Sequence, residues 1–168
     1  VGQSFRRHGG EHSHRRARVM SHGALFDIFL RLGAATLCGM VLGLNRDLHG
    51  KPTGIRTLGL VSLGVAIATV AVLRTEQAIT DTAAYSRLLQ GIVQGVLTGI
   101  GFLGGGVILR NPQQNMVRNL TTAATVWVTA ALGLACAIAD WRVIGLGLLF
   151  AIILLVTEDR LDKWIEKK

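Results

Sequence analysis

Long apolar runs constrain this chain more than any other feature of its sequence. Five of them follow one another, at residues 24–44, 57–73, 88–109, 120–139 and 143–157. An α-helix rises about 1.5 Å per residue, so apolar runs of about 17 to 25 residues cross a hydrocarbon layer of ~30 Å. The first four runs meet this length, and the fifth meets it when the flanking Trp141 and Arg142 lie at the interface. The sequence therefore predicts an all-α, polytopic integral membrane protein with about five transmembrane helices in a single bundle.

The charge distribution agrees with a membrane protein and argues against nucleic acid as a partner. The chain carries a net charge of +8, but 50% of its residues are hydrophobic and its mean hydropathy is +0.45. Apart from Arg31, its basic residues lie in the first 22 residues, in short connections and in the C-terminal tail, so no basic face remains for a phosphate backbone. The predicted surroundings are the lipid bilayer, and the predicted partner is another membrane protein or a second copy of the chain.

The first 22 residues differ in composition from the rest. Residues 1–22 are polar, basic and rich in histidine and glycine, which predicts a disordered tail or an over-extended translation start before Met20. Residues 23–168 are predicted to be a transmembrane domain with no soluble domain after it. With residues 1–19 included, nine Lys and Arg residues lie on the side of the C-terminus and eight on the other side, whereas counted from Met20 the numbers are nine and three. The positive-inside rule then predicts a cytoplasmic C-terminus.

Two charged residues interrupt the first apolar run. Asp27 and Arg31 are four residues apart, so they share a helix face and can neutralise each other. We interpret them as a self-paired anchor near the interface, with an ion or proton relay as the alternative. The other apolar runs contain no carboxylate, whereas a site for divalent cations needs several oxygen ligands. Cys38 and Cys136 both fall in apolar runs and are predicted to be buried without a disulfide.

The first connection, NRDLHGKPTGIRT, carries the densest polar chemistry. Gly50, Pro52 and Gly54 shape a turn there. A basic loop beside cytoplasmic lipid can bind anionic headgroups, a phosphate-bearing ligand or a partner protein, and the alternative is that these are ordinary positive-inside residues. The candidate interaction residues are Asn45, Arg46, Asp47, Lys51, Arg56 and Thr57.

The third apolar run is unusually rich in glycine. Three glycines recur at a four-residue spacing, and a polar row with the same spacing precedes them by one position. Such rows let membrane helices approach closely, and polar side chains can bond across the contact. The alternative is that Gly104, Gly105 and Gly106 break the helix and expose backbone at a functional cavity. The helix-packing candidates are Gly91, Gly95, Gly99, Gly101, Gly104 and Gly105, and the intramembrane polar candidates are Asp27, Arg31, Gln90, Gln94 and Thr98.

The same segment contains a G-x-G-x-x-G pattern from Gly99 to Gly104. A dinucleotide-binding turn would need a strand before it, a helix after it and an acidic residue about 20 positions later. The first acidic residue after the glycines is Asp140, and membrane-length apolar sequence surrounds the motif. The sequence therefore predicts no nucleotide site, no cofactor, no metal site and no catalytic residue.

Three blocks of the chain resemble the MgtC/SapB family of bacterial membrane proteins. They are GLNRDLHGKPTGIRTLGLVSLG from Gly43, GIGFLGGGVIL from Gly99 and VRNLTTAATVWVTAALGLACA from Val117. The resemblance implies a multi-span protein of the bacterial inner membrane, linked to growth at low magnesium or survival inside host cells. It also implies regulation through contact with other membrane machinery. The chain departs from the family's usual G-L-E-R-E turn, because Asn45 and Asp47 replace the two glutamates.

Two hypotheses about function follow. The first is a membrane interaction protein, in which the glycine row packs helices and the first connection meets a partner or headgroups. The alternative is a small transporter or channel for Mg²⁺ or another cation, with Asp27, Gln90, Gln94 and Thr98 along the path. Ion flux through reconstituted vesicles separates the two hypotheses.

Overall fold

The computed structural model describes residues 8–75, 81–111 and 116–165. Its elements in chain order are α1 (His8–Leu48), α2 (Ile55–Leu73), α3 (Thr82–Val107), β1 (Leu109–Asn111), β2 (Met116–Arg118), α4 (Leu120–Ile138) and α5 (Trp141–Ile165). The described residues before Arg31 and those from Arg31 onward form two compact units. The predicted all-α, polytopic architecture is confirmed.

Within the described residues, four helical stretches are long and apolar enough to cross a membrane. They are Gly23–Leu48 within α1 and the whole of α2, α3 and α4. The apolar part of α5 is shorter, at Trp141–Thr157, and extends ~25 Å at about 1.5 Å per residue. Helices satisfy their backbone hydrogen bonds internally, which is why apolar sequence of this length forms helices in a bilayer.

Helix α1 begins inside the segment for which the sequence predicts a disordered tail. Its first residue is His8, and residues 1–7 lie outside the described residues. Helix propagation fixes one residue for each hydrogen bond gained, so an established apolar helix extends readily into polar sequence. The division into a tail and a transmembrane domain stays a prediction.

Helix α4 is the centre of the bundle formed by residues 31–168. It packs against α2, α3 and α5, and its buried face consists largely of small residues. The hydroxyls of Thr125 and Thr129 donate to the carbonyls of Thr121 and Thr125, at 2.7 and 2.8 Å. Because these hydroxyls are satisfied within the helix, threonine adds little bulk and no unmet polar group to the contact surface.

Three glycines allow the closest approaches between helices. A Cβ on Gly39 of α1 would overlap the carbonyl of Leu58 in α2. A Cβ on Gly43 would lie 2.5 Å from the Cα of Ile55, and one on Gly133 of α4 would lie 2.5 Å from the carbonyl oxygen of Ser62. Helix α2 is therefore held tightly on one side by α1 and on another by α4.

A short antiparallel ribbon joins α3 to α4, where the sequence predicts only a connection. Leu109 of β1 pairs with Arg118 of β2. Asn119 adopts a left-handed conformation with φ of 67°, and its side-chain amide donates to the carbonyl of Val107 at 3.1 Å. That bond caps the end of α3, so the helix stops at Val107 and the chain continues as a strand.

Candidate functional site at the α1–α2 turn

The turn between α1 and α2 is a compact structure rather than an open loop. At the end of α1, the amides of His49 and Lys51 both donate to the carbonyl of Arg46, at 3.2 and 3.0 Å. Gly50 has a φ of 62°, a left-handed conformation that glycine adopts without a steric penalty. The helix therefore ends sharply, and the chain reverses toward α2 within a few residues.

Asp47 of α1 caps the beginning of α2. Its Oδ2 accepts a hydrogen bond from the amide of Ile55 at 2.9 Å, one of the amides that the first turn of a helix leaves without a partner. Gly54 makes room for this contact, because a Cβ there would overlap the Asp47 carboxylate. Gly43 lets the two backbones meet at the same place. Gly43, Asp47 and Gly54, which all lie in the first block of sequence, thus hold the end of α1 against the start of α2.

Arg46 points in the opposite direction, into the bundle. It is 2% exposed, and its Nη2 donates to the Oγ1 of Thr122, which is also 2% exposed. Thr122 lies in the first turn of α4. A buried guanidinium is costly unless its donors are satisfied, so this hydrogen bond fixes the end of α1 against the beginning of α4.

Arg31 makes the corresponding contact at the other end of α4. Its Nη1 donates to the carbonyl of Ala137 at 2.6 Å. A cation is favourable at a helix C-terminus, where carbonyls carry partial negative charge. The predicted pairing of Arg31 with Asp27 stays a prediction.

The outer side of the turn presents a polar surface. An open cleft of about 550 Å³ is lined by Asp47, Gly54, Ile55, Arg56 and Thr57. The side chains of Arg56 and Thr57 are exposed, and Lys51 is half-buried. We call Lys51, Arg56 and Thr57 the turn surface.

The structure thus divides the six candidate residues of the first connection. Arg46 lies inside the bundle and Asp47 holds the start of α2, whereas the turn surface faces outward. The carbonyl of Asn45 lies 2.7 Å from Nδ1 of His49, so it braces the last turn of α1. Whether any of the six binds a partner stays a prediction.

The polar and glycine rows of α3 lie together on an outward face. Gln90, Gln94 and Thr98 are exposed, as are the glycines that follow each of them. A Cβ at Gly91, Gly95, Gly99, Gly101 or Gly105 would meet no heavy atom of another described element within 4 Å. Gly104 is buried, and a Cβ there would make ordinary contact with Ala123 of α4 at 3.7 Å. Close packing of the row against another helix therefore stays a prediction.

The glycine cluster at the end of α3 does not break the helix. Gly104, Gly105 and Gly106 lie within α3, which continues to Val107. The alternative of a discontinuous third span is wrong. Glycine lacks a side chain but keeps its backbone N–H, so the hydrogen bonds of the helix can continue through it. A helix that packs on a neighbour therefore tolerates glycine.

Sequence reasoning missed the glycines that make the close contacts within the chain. Gly39 and Gly43 have the same four-residue spacing as the row in α3, and this spacing was the available signal. Sequence reasoning also missed that Asp47 caps α2. Asp81 and Asp140 act in the same way at the beginnings of α3 and α5. Asp81 accepts from the amide of Ala83 at 2.9 Å, and Asp140 accepts from that of Val143 at 3.2 Å.

Known proteins resemble the chain over most of its length. A sequence profile of the MgtC family matches residues 32–164. The chain is 35% identical over 156 residues to Protein SrpB of Synechococcus elongatus, covering 88% of this chain and 85% of that protein. It is 35% identical over 130 residues to Protein SapB of Bacillus subtilis, covering 76% of this chain and 54% of SapB.

A third relative is Protein MgtC of Salmonella typhimurium. The two are 34% identical over 118 residues, which cover 70% of this chain and 46% of MgtC. The chain thus spans about half the length of SapB and of MgtC. No solved structure gives a significant match.

Proposed function

Since the chain belongs to the MgtC family, as its three sequence blocks predicted, we propose that it is a regulatory protein of the bacterial inner membrane. It acts through contact with another membrane protein, without enzymatic chemistry, and supports growth at low magnesium or survival inside host cells. The observation that carries this proposal is the turn surface, which presents an exposed arginine, an exposed threonine and a half-buried lysine on a tightly held turn.

Rigidity matters because a preorganised surface loses little conformational entropy when it binds. Asp47 and Gly54 fix the start of α2, and Arg46 fixes the end of α1 on α4. Arg56 and Thr57 therefore lie in the first turn of α2, a helix whose start is held in place by α1. Their charge and hydroxyl suit an acidic segment of a partner protein close to the membrane.

The topology supports a cytoplasmic location for the turn surface. With five spans, the turn after the first helix and the end of the fifth lie on the same side of the membrane. Counted from Met20, the excess of Lys and Arg on that side favours the cytoplasm. The turn surface then faces the compartment in which magnesium-dependent enzymes and regulators work.

The transporter alternative receives no support from the arrangement of polar residues. Gln90, Gln94 and Thr98 lie on the outward face of α3, and Asp27 is exposed. The centre of the bundle is instead filled by the small residues and satisfied threonines of α4. Among the described residues, no group of three or more His, Cys, Asp or Glu side chains is placed to hold a metal ion.

Complementation of a deletion strain in low-magnesium medium tests the proposal. The unaltered protein should restore growth, and Arg56→Glu should not, because it reverses the charge of the turn surface. Arg74→Glu is the matched control, since Arg74 is an exposed arginine at the other end of α2. Membrane levels of all three proteins are compared by immunoblotting. Full rescue by Arg56→Glu at equal protein level would overturn the role of the turn surface.

A further inference from the structure

Helix α3 exposes amide side chains within a membrane span. Gln90 and Gln94 lie one helical turn apart within a stretch long and apolar enough to cross the bilayer, and both are exposed. Thr98 continues the row by a further turn. Hydrocarbon offers no hydrogen bonds, so a glutamine that faces acyl chains pays the full cost of a buried, unsatisfied amide. This face is therefore unsuited to lipid and suited to another protein.

The glycines beside the polar row make a close approach feasible. Gly91, Gly95 and Gly99 are all exposed, and a Cβ at any of them would meet open space. An open groove of about 490 Å³ runs along Gly91 and Gly95 and is bounded by Val72 of α2. A second helix can thus bring its backbone near α3 while its side chains enter the groove.

We propose that this face of α3 packs against the same face of a second copy of the chain, related by a two-fold axis along the membrane normal. In a two-fold contact, a residue near the crossing point meets its own counterpart. Gln94 lies at the middle of the row, so it meets Gln94 of the second copy. A primary amide is both donor and acceptor, and two of them can bond reciprocally.

Self-contact fits this face better than contact with a different protein. The six residues Gln90, Gly91, Gln94, Gly95, Thr98 and Gly99 carry no formal charge. Arg87 also lines the groove and forms an ion pair with Asp81 at 3.9 Å, so two copies can meet here without an unpaired charge in the contact. The four-residue glycine spacing matches the crossing of paired membrane helices. This surface is separate from the turn surface, so the inference does not depend on the proposed function.

Cysteine cross-linking of the full chain in vesicles tests the contact directly. Gln94→Cys is introduced in a Cys38→Ala, Cys136→Ala background, and a mild oxidant such as molecular oxygen with a copper catalyst is added. Two thiols then lose two protons and two electrons to the oxidant and form one disulfide. A cross-linked homodimer is expected for Gln94→Cys and not for Leu60→Cys, an exposed position on α2.

Dilution of fluorescently labelled protein into increasing amounts of lipid measures the strength of the contact. Gln94→Leu should weaken dimerisation about five- to thirtyfold, as expected for the loss of hydrogen bonds between membrane helices. Gly95→Leu should abolish it, whereas Gly64→Leu, at an exposed glycine of α2 whose Cβ also meets open space, should leave it unchanged. A monomer at every lipid ratio would overturn the proposal. So would Gln94→Cys cross-linking in native membranes only to a different protein.

Discussion

The guanidinium of Arg46 on α1 donates a hydrogen bond to the hydroxyl of Thr122 on α4, inside the bundle. Arg31 of α1 does the same to the carbonyl of Ala137, near the other end of α4. The number of residues between the two arginines equals the number between their two partners. Along a helix, this separation corresponds to about 22 Å. Because α1 and α4 run in opposite directions, each arginine reaches the end of α4 nearest to it. These bonds fix the axial register of the two helices.

Loss of the Thr122 hydroxyl should destabilise the bundle. Thr122→Val keeps the shape of the side chain but leaves the buried Arg46 donor without this acceptor. The expected loss is about 1–3 kcal/mol of unfolding free energy, the usual cost of a buried polar group left unsatisfied. Thermal unfolding in detergent measures it, with Thr122→Ser as the control that retains the hydroxyl. Equal stability of the valine and serine variants would show that the bond contributes nothing.

The close contact at Gly39 should tolerate no side chain. Gly39→Ala places a Cβ against the backbone of Leu58 and 2.9 Å from the Cα of Gly59, and backbone cannot move aside cheaply. Overpacking of this kind costs about 1–3 kcal/mol.

Gly33→Ala is the matched control for that variant. Gly33 lies on the same helix, and a Cβ there meets nothing within 4 Å. Alanine favours helix over glycine by about 0.8–1.0 kcal/mol, so this variant should be as stable as the unaltered protein or more stable. Measured in the same detergent, the midpoint of unfolding should therefore fall for Gly39→Ala and should stay or rise for Gly33→Ala. A shared direction would contradict the packing role of Gly39.

The helices could be predicted from the sequence because a long apolar run that crosses a bilayer must form a helix. The sequence predicts the second run at 57–73, and α2 is Ile55–Leu73; it predicts the fourth at 120–139, and α4 is Leu120–Ile138. Every backbone polar group in hydrocarbon must be satisfied internally, so local sequence decides the element.

The contacts between helices could not be predicted in the same way. The pair Gly39 and Gly43 and the pair Gly91 and Gly95 have identical spacing, yet only the first pair touches another described helix. Which pair contacts another helix depends on how the helices are arranged in the bundle. A local sequence pattern does not determine that arrangement. Asp47 likewise caps a helix that begins eight residues later, a relation set by the shape of the turn.

The cap at the start of α2 should be measurable on its own. Asp47→Ala removes the acceptor for the amide of Ile55 and should cost about 0.5–2 kcal/mol, the usual range for a lost helix cap. Asp47→Asn retains a side-chain oxygen and should recover most of that loss. Chemical unfolding in detergent micelles distinguishes the two variants. An asparagine variant as unstable as the alanine variant would point to the charge of Asp47 instead of its hydrogen bond.

Gly54 and Asp47 should behave as one unit in a double-mutant cycle. Gly54→Ala places a Cβ where the Asp47 carboxylate lies, so the carboxylate must leave and the cap is lost with it. Gly54 has a negative φ of −87°, so the expected effect comes mainly from this collision. Asp47→Ala should then cost much less in the Gly54→Ala background than in the unaltered chain. Contacting residues commonly show coupling of about 0.5–3 kcal/mol in such cycles. Strictly additive losses in unfolding free energy would mean that the two residues stabilise the turn independently.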